Sequence, residues 1–180
     1  MIKIMKYGEV SNSEIFARSV PETDVAGTVA EIIESVRKNG DAALFAYCEK
    51  FDKAKLSSLV VSKEEIDEAL SLVEPEFLEI LKKAAQNIRK FHSHQVRNSF
   101  IINDEEGIVT GQKVIPLDKV GLYVPGGTAA YPSTVLMDAI PAKIAGCPEV
   151  VMVTPPTKEG KVNPAILAAA HVAGIDRIFK

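Results

Sequence analysis

VGLYVPGGTAAYPSTVLMDAIPAKIAGCPEVVMVTPP, running from Val120 to Pro156, decides how this chain folds. It opens on Val120 to Val124, a short apolar run rich in the β-branched and aromatic residues that suit a buried strand. Pro125-Gly126-Gly127 ends the run, since that tripeptide continues neither a strand nor a helix. A helical pattern starts near Ser133. A second apolar run, Val150 to Val153, leads into Pro155-Pro156. Strand, glycine turn, helix and strand make a βαβ unit, whose strands are parallel and whose crossover is almost always right-handed. Ligands of such sheets bind beyond the carboxyl ends of the strands, so chemistry is expected at the PGGT turn.

Downstream, Asn163 is placed to cap another helix that starts at Pro164, turns Ile166 and Leu167 inward and stops at Gly174. Arg177-Ile178-Phe179-Lys180 then reads as the opening of a third parallel strand. A natural domain rarely stops inside a strand, so the chain is expected to be a truncated piece. Upstream the character is helical. Val25, Val29, Ile32, Ile33 and Val36 recur at helical spacing between Glu22 and Lys38, before Gly40. Asp41 is expected to cap a helix from Ala42 to about Lys50, with Leu44, Phe45 and Cys48 as its inner side. Ser62 and Glu65 form a capping box ahead of Ile66, Ala69 and Leu70. Pro75 opens the longest helix, to about His94, with Leu78, Leu81, Ala85, Ile88 and His92 on one stripe. One strand is read at Leu59 to Val61. Two more, Phe100–Ile102 and Ile108–Ile115, flank a turn at Asp104-Glu105-Glu106-Gly107.

The glycine turn has two readings. Small residues let the backbone approach a dinucleotide, and the helix that follows favours its phosphates. Alternatively, the glycines merely permit the reversal from strand to helix. There is no GxGxxG, and no acidic residue ends the second strand to hold a ribose. Tyr123 on its own reads as a core tyrosine with a satisfied hydroxyl. Ser133 or Thr134 is expected to cap the helix, with no base beside either in sequence to make a nucleophile. Pro141 removes one hydrogen bond from that helix and is expected to kink it. His92 and His94 are two apart and point to different faces of a helix, which makes them a poor ligand pair. His171 is expected to be half-buried and structural. No zinc site can be assembled from the three histidines, and no carboxylate cluster has ligand spacing.

The block VGLYVPGGTAAYPSTVLMDAIPAKIAG closely resembles the corresponding block of histidinol dehydrogenases. The resemblance extends over nearly the whole chain, through VRKNGDAALFAYCEKFD (Val36 to Asp52), AAQNIRKFHSHQ (Ala84 to Gln95), VVMVTPP and VNPAILAAAHVAGIDRIFK. It implies oxidation of L-histidinol through L-histidinal to L-histidine, with NAD reduced twice in succession. It also implies a zinc ion held by a glutamine, two histidines and an aspartate, and a glutamate–histidine pair that moves protons. All of those positions are expected beyond Lys180, so no catalytic residue and no metal ligand is assigned here. In the family the tyrosine of LYVPGG contacts NAD, and Tyr123 occupies that place. Tyr123, Pro125, Gly126 and Gly127 are the candidate cofactor contacts. The family's terminal segments reach across a homodimer, a role open to the segment before residue 21.

Composition sets outer bounds. Mixed charge with a formal net of −3 and no basic stripe argues against a nucleic-acid partner. No apolar run approaches the roughly 18 residues of a membrane span, and the start turns polar too soon for a signal peptide. Cys48 and Cys147 are far apart and outside any CxxC, which reads as buried free thiols in the cytoplasm.

The reading is an α/β chain: a helical N-terminal section joined to an incomplete Rossmann-like parallel sheet of βαβαβ order. Residues 1–20 are expected to form an arm, 21–119 a helical section with a β-hairpin, and 120–180 the start of an NAD-binding domain. The alternatives are a stand-alone module that binds a nucleotide or phosphate at PGGT without catalysis, and a structural or dimerising piece that binds nothing there.

Overall fold

The computed structural model describes residues 4–17, 25–126 and 130–180. Two compact units result, Met1–Gly40 and Asp41–Lys180. The first carries α1 (Asn12–Ile15) and α2 (Ala26–Asn39). Ser11 caps α1, its hydroxyl accepting from the Glu14 N–H. Helix α2 forms where the apolar spacing places it, but Val25 is its N-cap and no residue of it is buried. Residues 18–24, including Val20 and the expected start at Glu22, lie outside those described.

In the second unit the order is α3 (Asp41–Tyr47), a π-helical turn (Cys48–Asp52), α4 (Lys63–Leu72), α5 (Pro75–His92), β1 (Phe100–Glu105), β2 (Ile108–Gln112), β3 (Lys119–Tyr123), α6 (Pro132–Ile144), β4 (Glu149–Val153), α7 (Pro164–Ala173) and β5 (Arg177–Phe179). Strands β3, β4 and β5 pair in that order, all parallel, so the fold is α/β. Register puts Tyr123 beside Val153 and Val153 beside Phe179. Alternation therefore sends Val150, Met152 and Ile178 into the core, with Val120 and Leu122 partly buried against it. Tyr123, Val153 and Phe179 share the other face.

Helix α6 lies against β3 and β4, α7 packs on α6, and α5 and α4 form a further layer on them. The core runs through all of these elements, with Leu136, Ile140, Met152, Val135 and Val150 fully enclosed. Leu81 and Ala85 are the buried members of the α5 stripe, as its period requires. The capping box of α4 is present in both directions, Ser62 Oγ accepting from the Glu65 N–H and Glu65 Oε2 from the Ser62 N–H. Glu65 also meets the Lys180 ammonium at 2.6 Å. The expected strand at 59–61 is a short antiparallel partner of β5: the Val61 N–H donates to Ile178 O and the Lys180 N–H to Leu59 O. That pairing covers the outer edge of β5.

Several local expectations need correction. Asp41 is the first residue of α3, not its cap, and the α-helix ends at Tyr47 before a π-helical turn. Ala43, rather than Leu44, Phe45 or Cys48, is the buried residue of that segment, because the small side chain fits where larger ones stay part-exposed. Strand β2 stops at Gln112, and β1 runs on to Glu105 across an irregularity after Ile102, leaving Glu106 and Gly107 (φ 81°) at the turn. Both hairpin strands are exposed along their length. Cys147 is buried but Cys48 is half-buried, and both are free.

Asp176 ties β4 to the loop before β5. Its Oδ2 accepts from Lys143 Nζ at 2.5 Å and from the Val150 N–H at 2.7 Å. The Lys143 hydrogen bond, then that of Val150, hold its carboxyl below the usual range. A depressed folded-state pKa gives stability that is present above the unfolded value, near 3.9, and is lost as pH falls through the folded one. Asp176→Ala is predicted to cost about 1–2 kcal/mol at neutral pH, mostly through the Val150 N–H, since the partly exposed ion pair is screened. Urea midpoints measured between about pH 6 and 3 check this. The wild type should lose more stability on acidification than the variant, and parallel curves would count against the assignment.

Candidate functional site

A cavity of about 470 Å³ opens where the parallel strands end. One wall is Pro125, Gly126 and Ala130, in the segment that leaves β3. The opposite wall is Thr154 to Glu159 after β4, with Asn163 and Ile166 from the start of α7. Hydrogen bonding carries the sheet past its strand ends and fixes both walls. The Val124 N–H donates to Val153 O at 2.9 Å, and the Thr154 N–H donates to Phe179 O at 3.1 Å.

The loop after β4 is anchored. Pro156 and Val162 are buried, and a turn closes through Thr157 N–H to Lys161 O and Gly160 N–H to Thr157 O, each 2.8 Å. Asn163 caps α7 as its sequence implies, Oδ1 accepting from the Ala165 N–H. Gly126 is required by a close approach rather than by its dihedral angles. A Cβ there would lie 3.2–3.3 Å from three atoms of the Pro155 ring. The glycine turn and the Pro155-Pro156 pair are thus packed against one another, and the proline ring would have to give way to any side chain.

Of the four candidate contacts, Pro125 and Gly126 line this cavity. Tyr123 does not. It is 65% exposed on the sheet face opposite the helices, which also departs from its reading as a core residue. Gly127 lies outside the described residues. The expected cap by Ser133 or Thr134 is not made. Helix α6 begins ahead of both, at Pro132, with Tyr131 as an N-cap that supplies no side-chain hydrogen bond. Proline at the first helical position sets φ and has no N–H to satisfy, so it overrides the hydroxyl signal behind it. The helix runs on through Pro141 to Ile144.

Sequence reading missed Asp52, which lines the same cavity from the end of the π-helical turn. It is far from the glycine turn along the chain, and only folding brings the two together. Burial pushes its carboxyl pKa up, with no hydrogen bond or cation acting against that shift. Glu159 in the same cavity is shifted the other way, by the Thr157 hydroxyl and by its own backbone N–H.

A second cavity, of about 380 Å³, lies between the end of α5, the segment after β2 and the end of α6. Val96, Val114, Ile115 and Ile144 give it apolar walls. His92 lies at its edge, with Nδ1 2.6 Å from Gln95 Oε1, a contact that closes the end of α5. His171 is exposed, not half-buried, because the buried face of α7 passes through Ile166, Leu167 and Ala170. Among the described residues no three His, Cys, Asp or Glu side chains are grouped so as to hold a metal ion. No helix among them is long and apolar enough to cross a membrane.

Comparison with known proteins agrees along the whole chain. The family model for histidinol dehydrogenase matches residues 17–180. A histidinol dehydrogenase of Clostridium acetobutylicum is 50% identical over 186 aligned residues, covering 100% of this chain and 43% of the relative. One from Methanosarcina barkeri is 47% identical, covering 100% of this chain and 42% of its own. The crystal structure of histidinol dehydrogenase from Elizabethkingia anophelis superposes with a TM-score of 0.87 at 40% identity, over 93% of this chain and 39% of that one. The chain thus spans about two fifths of the length of the relatives it matches.

Proposed function

This chain belongs to the histidinol dehydrogenase family, and from that premise we propose that it takes part in the NAD-dependent oxidation of L-histidinol to L-histidine. Its part is to build one wall of the cofactor site. The observation that carries this reading is the cavity at the carboxyl ends of β3 and β4, the position at which open parallel sheets bind ligands. Its size suits a small-molecule site.

The residues fit a dinucleotide. Gly126 keeps one wall free of a side chain, so backbone can approach the ligand. Pro125, Pro155 and Pro156 give rigid apolar surface, while the Thr154 and Thr157 hydroxyls and Asp52 supply polar partners. Gly127 adjoins this wall in sequence and is kept as a contact. Tyr123, on the open sheet face, offers an exposed ring to the part of the cofactor that leaves the cavity. NAD, when bound, supplies the hydride acceptor for the substrate alcohol and then for the aldehyde. The residues of this chain bind and orient it, and none is placed to move a proton.

Zinc is implied by the family, but among the described residues no three His, Cys, Asp or Glu side chains are grouped as a donor set for it. Its ligands, and the glutamate–histidine pair, are assigned to the portion of the family's length that this chain does not span. Homodimer formation with an N-terminal arm, and residence in the reducing cytoplasm with two free thiols, complete the proposal.

The test is a paired assay with L-histidinol and NAD. A protein that carries this chain at full family length should form NADH, whereas the purified 180-residue chain should form none. NADH production by the chain alone, or none from the longer protein, would overturn the proposal.

A further inference from the structure

The cavity holds three charged side chains, and they are not equivalent. Lys158 and Glu159 are neighbours of opposite sign and both exposed, so their fields largely cancel in water. Asp52 is half-buried and comes from a different part of the chain. Among the described residues its carboxylate has no hydrogen-bond donor or cation as partner, and burial alone acts on it. A carboxylate is an acceptor-only group, and one that no residue of the chain engages is open to the donors of a ligand.

Its position is held at a cost. Asp52 ends a π-helical turn, a rare conformation, and Lys53 after it sits in the left-handed region at φ 59° without being glycine. The fully buried Ala54 fixes the turn, its N–H donating to Cys48 O at 3.2 Å. The strain is thus local, and it leaves Asp52 in the lining of the cavity shared with Pro125 and Gly126.

We infer that Asp52 sets the choice of cofactor: its carboxylate accepts the hydroxyls of the adenosine ribose of NAD and repels the 2′-phosphate of NADP. Dinucleotide sites of parallel sheets ordinarily draw that acid from the end of the second strand. Here β4 ends at Val153 and is followed by Thr154, and the π-helical turn supplies the acid from elsewhere in the cavity lining. The inference rests on the cofactor reading above and is separable from it.

The experiment titrates the whole 180-residue chain with NAD and with NADP by calorimetry, as wild type, Asp52→Asn and Asp52→Ala. Glu49→Gln, on the same turn but outside the cavity, is the control. Wild type should prefer NAD, and both Asp52 variants should shrink that preference by about tenfold, with NADP binding gained and NAD binding weakened. The control should keep the wild-type ratio. Thermal melts should show Asp52→Asn no less stable than wild type at neutral pH, because it removes a charge that burial disfavours. NAD binding with an unchanged NAD-to-NADP ratio in both variants would overturn the role of Asp52 and leave the cofactor reading standing. Absence of saturable NAD binding by wild type would overturn both.

Discussion

Replacing Leu136 by alanine is expected to destabilise the chain by about 2–5 kcal/mol, a large part of the 5–15 kcal/mol typical of a folded domain. The reason is position. Leu136 is 1% exposed on α6, in the core where that helix meets the sheet and α5. Truncation removes its apolar transfer energy and leaves a cavity that rigid neighbours cannot fill. Met137, one residue later, is 59% exposed, and Met137→Ala should change stability by no more than about 0.5 kcal/mol. Urea denaturation of the pair checks both numbers. Similar losses at the two positions would mean that α6 does not bury the face described.

Gly126→Val is expected to reduce NAD affinity at least tenfold while leaving the chain folded, at a stability cost of about 1–3 kcal/mol. A Cβ alone would press on the Pro155 ring from 3.2 Å, and the two further methyls of valine extend into the wall that the cofactor needs. Gly126→Ala should sit between, since the Pro155 ring needs to yield by only a few tenths of an ångström to admit a single Cβ. Calorimetric titration with parallel melting curves separates the two effects. A Gly126→Val protein with wild-type melting and wild-type NAD affinity would remove the turn from the site.

Much of the fold was legible because its signals are local. Ser62 with Glu65, Pro75, and Asn163-Pro164 each state where a helix begins, and the structure places α4, α5 and α7 there. The apolar runs at Val120 and Val150 are short, β-branched and bounded by glycine or proline, which leaves a parallel βαβ unit as the simple arrangement. Signals failed where two local rules compete. At α6, proline at the first helical position outranked the serine and threonine that follow it. At residues 48–53 the sequence carries no mark of a π-helical turn or of a left-handed lysine, both of which form just ahead of the fully buried Ala54.

The site divides in the same way. Pro125 and Gly126 could be named from the strand-to-helix turn, which is a feature of contiguous residues. Their constraint could not: the contact of Gly126 with Pro155 depends on parallel pairing of β3 and β4. Asp52 could be found only once the chain was folded, since nothing in its own neighbourhood points toward residues more than seventy positions away. Tyr123 shows the reverse case. It belongs to the contiguous LYVPGG pattern, yet alternation along β3 leaves its ring on the exposed sheet face and out of the cavity lining, where it can meet only the part of the cofactor outside the cavity.

The most direct test of the central claim, that the strand-end cavity is the cofactor wall, is a titration of the isotope-labelled chain with NAD followed by amide NMR shifts. Saturable changes are expected at Tyr123, Gly126, Gly127, Ala130, Thr154, Thr157 to Glu159 and Asn163, together with the turn that carries Asp52. Changes centred instead on His92 to Arg97 and Ile144, or no saturable change at any amide, would contradict it.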